Sequence, residues 1–79
     1  MTGSGNTAIG CDNDIYGNAN TALGSVNNIL GSYNLLNGNY NNVDGHYNVL
    51  DGSVNTVSGS GNGVAGNHNL VDGDLNQMV

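Results

Sequence analysis

The residues able to do chemistry are few, and their spacing works against most of what they could do. Asp12 and Asp14 flank Asn13 directly behind Cys11. Two carboxylates and an amide offer the oxygen ligands that hard cations want, but they fall well short of the roughly 6 to 8 that Ca²⁺ takes. The stretch reads as a solvated loop or first coil, and no metal site is assigned. His46 and His68 stand at the second and third places of seven-residue units three apart, which puts them on opposite faces of the chain and argues against a shared metal. Ser4, Ser25, Ser32, Ser53 and Ser60 recur beside glycine, where a hydroxyl can satisfy a turn backbone. None has a base beside it that would make it a nucleophile. With no constellation of nucleophile, base and orienting group, no enzyme, catalytic residue or cofactor is expected.

The remaining chemistry is amide chemistry, and it is periodic. Glycine stands at 3, 10, 17, 24, 31, 38, 45, 52, 59, 66 and 73, and asparagine follows three residues later at Asn6, Asn13, Asn20, Asn27, Asn34, Asn41, Asn48, Asn55, Asn62, Asn69 and Asn76. The frame is G-x-x-N-x-Φ-x, with an apolar sixth place running from Ala8 and Ile15 to Val71 and Met78. Seventeen asparagines without one Asn-x-Ser/Thr sequon have no glycan purpose. A buried unpaired amide is costly, so the eleven in register must bond to one another and to turn backbones, as a structural ladder.

Such a ladder needs strands and corners to carry it. A heptad with fixed Gly and Asn, one obligatory apolar place and no Lys/Glu flanks is not a coiled coil. Fourteen glycines and seventeen asparagines would melt a helix. Asn-x-Φ alternates with the period of a strand, and each glycine supplies a corner with positive φ. Odd units carry Ala8, Ala22, Leu36, Leu50, Val64 and Met78 at the sixth place, whereas even units carry only β-branched residues, Ile15, Ile29, Val43, Val57 and Val71. The words NTAIG (6–10) and NTALG (20–24) also match two units apart. The structural period is therefore fourteen. A fourteen-residue coil sets Asp44 between Leu30 and Ser58 and stacks Tyr33 on Tyr47, while a twenty-one-residue coil would stack Asp51 on Asp72. The expectation is an all-β parallel β-solenoid, a β-roll with two short strands per coil. Residues 1–79 form one repeat domain of eleven heptads (3–79), about five and a half coils, expected to be a fragment of a longer repeat protein. At about 4.8 Å per coil the stack is roughly 26 Å tall.

Two outer columns stand out. Ile9, Tyr16, Leu23 and Leu30 at the seventh place suggest a second buried column at the N-terminal end. Tyr33, Tyr40 and Tyr47 at the third place point outward if Asn and Φ point inward. Tyrosine is enriched both at exposed recognition stripes and at subunit interfaces. An interface is favoured for Tyr33 and Tyr47, and Tyr40 is left open; all three can also simply flank a turn.

The charge balance excludes whole classes of partner. Six Asp, no Lys, no Arg and a formal net charge of −6 at pH 7 leave nothing to neutralise phosphates, so neither nucleic acid nor an anionic membrane surface is a partner. No run of about 18 apolar residues would insert into a bilayer, and the start does not resemble a signal peptide.

Residues 3–10 (GSGNTAIG) and 17–24 (GNANTALG) resemble the repeats of YadA-like head domains of trimeric autotransporter adhesins, with Asn28-Ile29-Leu30-Gly31 a looser third copy. The glycine spacing matches over the whole chain, although Asn replaces the family's commoner Ser, and the residue before Gly is no longer a large aliphatic from Asn37 onward. The resemblance implies a left-handed roll, a homotrimer, extracellular or cell-surface display, and a host matrix or cell-surface protein as partner. A second reading is a self-assembling fibre joined end to end through unpaired strand edges. A third, ice binding, would want a regular rank of threonines; Thr7, Thr21 and Thr56 are few and lie on both faces, so it ranks last.

Overall fold

Coil stacking governs every element of the computed structural model, which describes residues 2–78. The strands are β1 (Thr7–Ile9), β2 (Asp14–Asn18), β3 (Thr21–Leu23), β4 (Asn28–Ser32), β5 (Leu35–Asn37) and β6 (Asn42–His46). They continue with β7 (Val49–Asp51), β8 (Thr56–Ser60), β9 (Gly63–Ala65), β10 (Leu70–Asp72) and β11 (Gln77–Met78). Odd strands form one parallel sheet in the order β1-β3-β5-β7-β9-β11, and even strands up to β10 form the other in the order β10-β8-β6-β4-β2. Each residue pairs with the one fourteen positions on: Ala8 with Ala22, Ile29 with Val43, Leu36 with Leu50. One coil is thus two heptads, as the alternation at the sixth place requires. The molecule measures 27 × 20 × 11 Å, a flattened stack whose thickness is about one sheet-to-sheet spacing.

The bore is filled by the two inward columns. Ile15, Ala22, Ile29, Leu36, Val43, Leu50, Val57, Val64 and Val71 form one apolar core, with Ala8 packed against its end. Met78 continues the sixth-place series, but its side chain lies outside the described residues. The asparagines from Asn20 to Asn62 at the fourth place are each no more than 1% exposed. Each buried amide reaches the following coil: Asn20 Nδ2 donates to the Gly31 carbonyl (2.7 Å), and Asn20 Oδ1 accepts from the Asn34 main-chain N–H (2.9 Å). Asn34 and Asn48 repeat the arrangement through Gly45 (2.8 Å) and Gly59 (3.0 Å). Among the described residues no buried side-chain nitrogen or oxygen lacks a partner. Ladders of this kind hold a sheet against its usual twist.

Glycine is required at the first place for two reasons at once. Gly45 has φ 147°, and a Cβ there would fall on the Gly59 carbonyl oxygen of the next coil. Two residues later the chain turns through the left-handed region with ordinary residues, Asp12, Ala19, Val26, Tyr33, Tyr40, Tyr47, Val54, His68 and Leu75, all at φ between 57° and 61°. That conformation costs roughly 1–2 kcal/mol for a residue with a Cβ, and β-branching makes it worse. Val54→Asn should therefore raise stability by about 1 kcal/mol, since asparagine tolerates this region and Val54 is half exposed. Thermal unfolding checks it; a lower midpoint would mean that the corner is held by the valine side chain.

Two expectations are corrected. The seventh place is not a second buried column: Ile9 is 61% and Leu30 is 53% exposed, because residues flanking an inward sixth place on a strand must face out. The serines also act differently from the turn-capping hydroxyls expected. Ser4, Ser25, Ser32, Ser53 and Ser60 each donate a main-chain N–H to the second-place side chain of the next coil: Asn18, Asn39, His46 Nδ1, Asn67 and Asp74. Serine and acceptor alternate up each corner, which gives the edges a twenty-eight-residue period on top of the fourteen.

Candidate functional site

The roll offers two broad faces and two narrow corner edges. On each strand the fifth and seventh places point outward on either side of the buried sixth, so each face carries two columns in register. On the even sheet the fifth-place column is Asp14, Asn28, Asn42, Thr56 and Leu70, and the seventh-place column is Tyr16, Leu30, Asp44, Ser58 and Asp72. On the odd sheet they are Thr7, Thr21, Leu35, Val49, Gly63 and Gln77, and Ile9, Leu23, Asn37, Asp51 and Ala65. Three carboxylates therefore stand on the even face and one, Asp51, on the odd face.

The odd face is the more unusual surface. Thr7 and Thr21 stack in register, followed by Leu35 (43% exposed) and Val49 (49%), with Ile9 and Leu23 alongside. Every one of these side chains ends in a methyl group, and none is ionised. Neighbouring strands lie about 4.8 Å apart and alternate residues along a strand about 6.7 Å apart, so the methyls and the two hydroxyls sit on a fixed two-dimensional grid. The interlocked amide and backbone ladders beneath keep that grid rigid. The face loses height at Gly63 and Ala65 and is broken by Asn37 and Asp51.

Tyr16 stands on the even face, but the three third-place tyrosines are on neither face. Tyr33, Tyr40 and Tyr47 occupy the positive-φ corner position and so flank a turn. Tyr33 and Tyr47 stack with centroids 4.9 Å apart and planes 2° from parallel, as a fourteen-residue coil requires. Tyr40 projects from the opposite edge, in the corner that follows the odd sheet. His46 ends β6 at one corner and His68 lies in the other, and among the described residues no group of three or more His, Cys, Asp or Glu could hold a metal ion. Cys11 is an exposed free thiol on a corner. A groove of about 430 Å³ runs along the even sheet over Gly17, Gly31 and Gly45, between Tyr16, Leu30 and Asp44 on one side and Ser32 and His46 on the other. At its corner side the Ser32 main-chain N–H donates to His46 Nδ1 (3.1 Å), a contact between stacked coils.

Sequence reasoning missed the odd face. The signal was present, because the fifth and seventh places flank an inward residue and must point out. The aromatic third place is the more conspicuous column, and assigning the seventh-place aliphatics to the interior hides the surface they form.

A family model described as a grass antifreeze beta roll matches residues 1–79. No curated protein matches the chain. The family match overturns the resemblance to adhesin heads: the β-solenoid fold is shared, but the family is a different one, and the adhesion role falls with it. The trimer and the host-surface partner, implied by that resemblance, lose their support. The end-to-end fibre is not favoured either.

Proposed function

From the premise that the chain belongs to the grass antifreeze beta-roll family, we propose that it is a non-catalytic ice-binding protein that meets ice with the exterior of its odd sheet. Ice binding stood last in the sequence reading because threonines were counted, and the family match reverses that order. The observation that carries the assignment of the face is its chemistry: a rigid, methyl-bearing grid with two hydroxyls and a single carboxylate. A surface that adsorbs to solid water must release or template its own hydration layer without fixing water in a geometry foreign to ice. Methyl groups hold water weakly, and hydroxyls can both donate and accept. Ionised carboxylates hold their shells tightly, which argues against the even face with Asp14, Asp44 and Asp72. A role outside the cell, where ice forms first, accords with the family.

Thr21 and Thr56 provide a matched test, because both occupy the fifth place of a heptad but on opposite sheets. Thr21→Tyr raises a ring out of the proposed contact plane and should remove most of the thermal hysteresis and ice shaping. Thr56→Tyr should change neither. Both variants should keep the circular dichroism of the native chain. An inactive native chain, or loss of activity on Thr56→Tyr alone, would overturn the proposal.

A further inference from the structure

Asp51 stands where the methyl-bearing ground of the odd face ends. It follows Val49 on β7, two residues along the same outward row, and its column neighbours are Asn37 and Ala65. No permanent cation can neutralise it, for the chain has no Lys or Arg. Among the described residues no side-chain hydrogen bond holds its carboxylate; its main-chain carbonyl accepts from the Gly66 N–H (2.9 Å). Asp51 must therefore keep its own water shell, and that shell reaches over Val49, about 6.7 Å away along the strand.

Resting on the reading of the odd sheet as the ice-facing surface, we infer that Asp51 sets the boundary of the ice-contacting area and limits its affinity. Contact is confined to the first three odd strands, Thr7 to Leu35 with Ile9 and Leu23. Val49 has the right chemistry and the right register but is excluded by the hydrated carboxylate beside it. Asn37, in the row above, interrupts the seventh-place column without a charge, and its amide can both donate and accept. The acidic residue is thus the costlier of the two interruptions.

Asp44 supplies the control, because it holds the same seventh place on the even sheet and its removal changes the net charge by the same amount. Asp51→Thr should raise the thermal hysteresis at equal concentration several-fold, up to about tenfold in apparent affinity, the factor that corresponds to 1.4 kcal/mol. Asp44→Thr should leave it unchanged. Thr21→Tyr, measured in parallel, separates the two levels of the argument. If Thr21→Tyr abolishes activity while Asp51→Thr and Asp44→Thr both match the native chain, the boundary role of Asp51 is wrong and the face assignment stands. If Asp44→Thr raises activity as much as Asp51→Thr, net charge rather than position is responsible and the inference also fails. If Thr21→Tyr has no effect, the face itself is misassigned.

Discussion

Gly45→Ala is expected to abolish cooperative folding, as large an effect as any single added methyl group has in this chain. At φ 147° the backbone lies where an L side chain is strained, and the added Cβ would meet the Gly59 carbonyl oxygen of the next coil. That carbonyl cannot withdraw, because it accepts the Asn48 side-chain N–H (3.0 Å) that ties the coils together. Parting the two coils would break the backbone ladder on both sides of the corner. A domain of this length has a total stability of about 4–12 kcal/mol, and a backbone clash of this kind costs on the order of 4 kcal/mol or more. Gly63→Ala is the contrast. A methyl group added at Gly63 would have no atom within 4 Å, and the backbone there has no positive φ, so alanine should fold with a stability within about 0.5 kcal/mol of native. Circular dichroism during thermal unfolding distinguishes them; a native-like melt for Gly45→Ala would mean that the coils are not stacked as closely as described.

The second large effect lies in the bore. Asn34→Leu keeps the volume apolar and well matched to its neighbours, yet it should cost on the order of 3 kcal/mol, because it orphans one buried and one partly buried main-chain group. The Asn48 N–H loses its acceptor Asn34 Oδ1 (3.0 Å), and the Gly45 carbonyl loses the Asn34 amide donor (2.8 Å). An ordinary core exchanges amide for leucine at a gain; here the amide completes the backbone hydrogen bonding of the corner, so the usual preference reverses. Asn28→Leu, on an exposed strand position one residue beyond the ladder, should change stability by less than about 0.5 kcal/mol. Equal effects at Asn28 and Asn34 in chemical denaturation would remove the ladder from the account of stability.

Much of this architecture could be read from the residue order, and the reason is physical. A solenoid repeats one local solution, so Asn at the fourth place and Φ at the sixth define the inward face eleven times over, and the β-branched alternation of Ile15, Ile29 and Val43 against Ala22, Leu36 and Leu50 counts the heptads per coil. The corners were less legible. Nothing in Val26, Tyr33 or Val54 announces a left-handed backbone, which those residues avoid in isolation; the stacked coils impose it. The double reason for glycine was hidden as well, since its second half is the carbonyl of a residue fourteen positions away. The functional face was the hardest to see. Its chemistry resides in the variable fifth and seventh places, where Thr7, Ile9, Thr21, Leu23, Leu35 and Val49 share no single residue type, and where a search for a threonine rank passes over the aliphatic methyls that carry the same surface.

The central claim, that the odd face adsorbs to ice, is tested most directly by growing ice slowly from a dilute solution of the chain and measuring, by tyrosine absorbance, how much protein enters the solid. The native chain should be enriched in the ice and Thr21→Tyr left behind in the liquid. A native chain excluded from ice to the same extent as Thr21→Tyr would contradict the account.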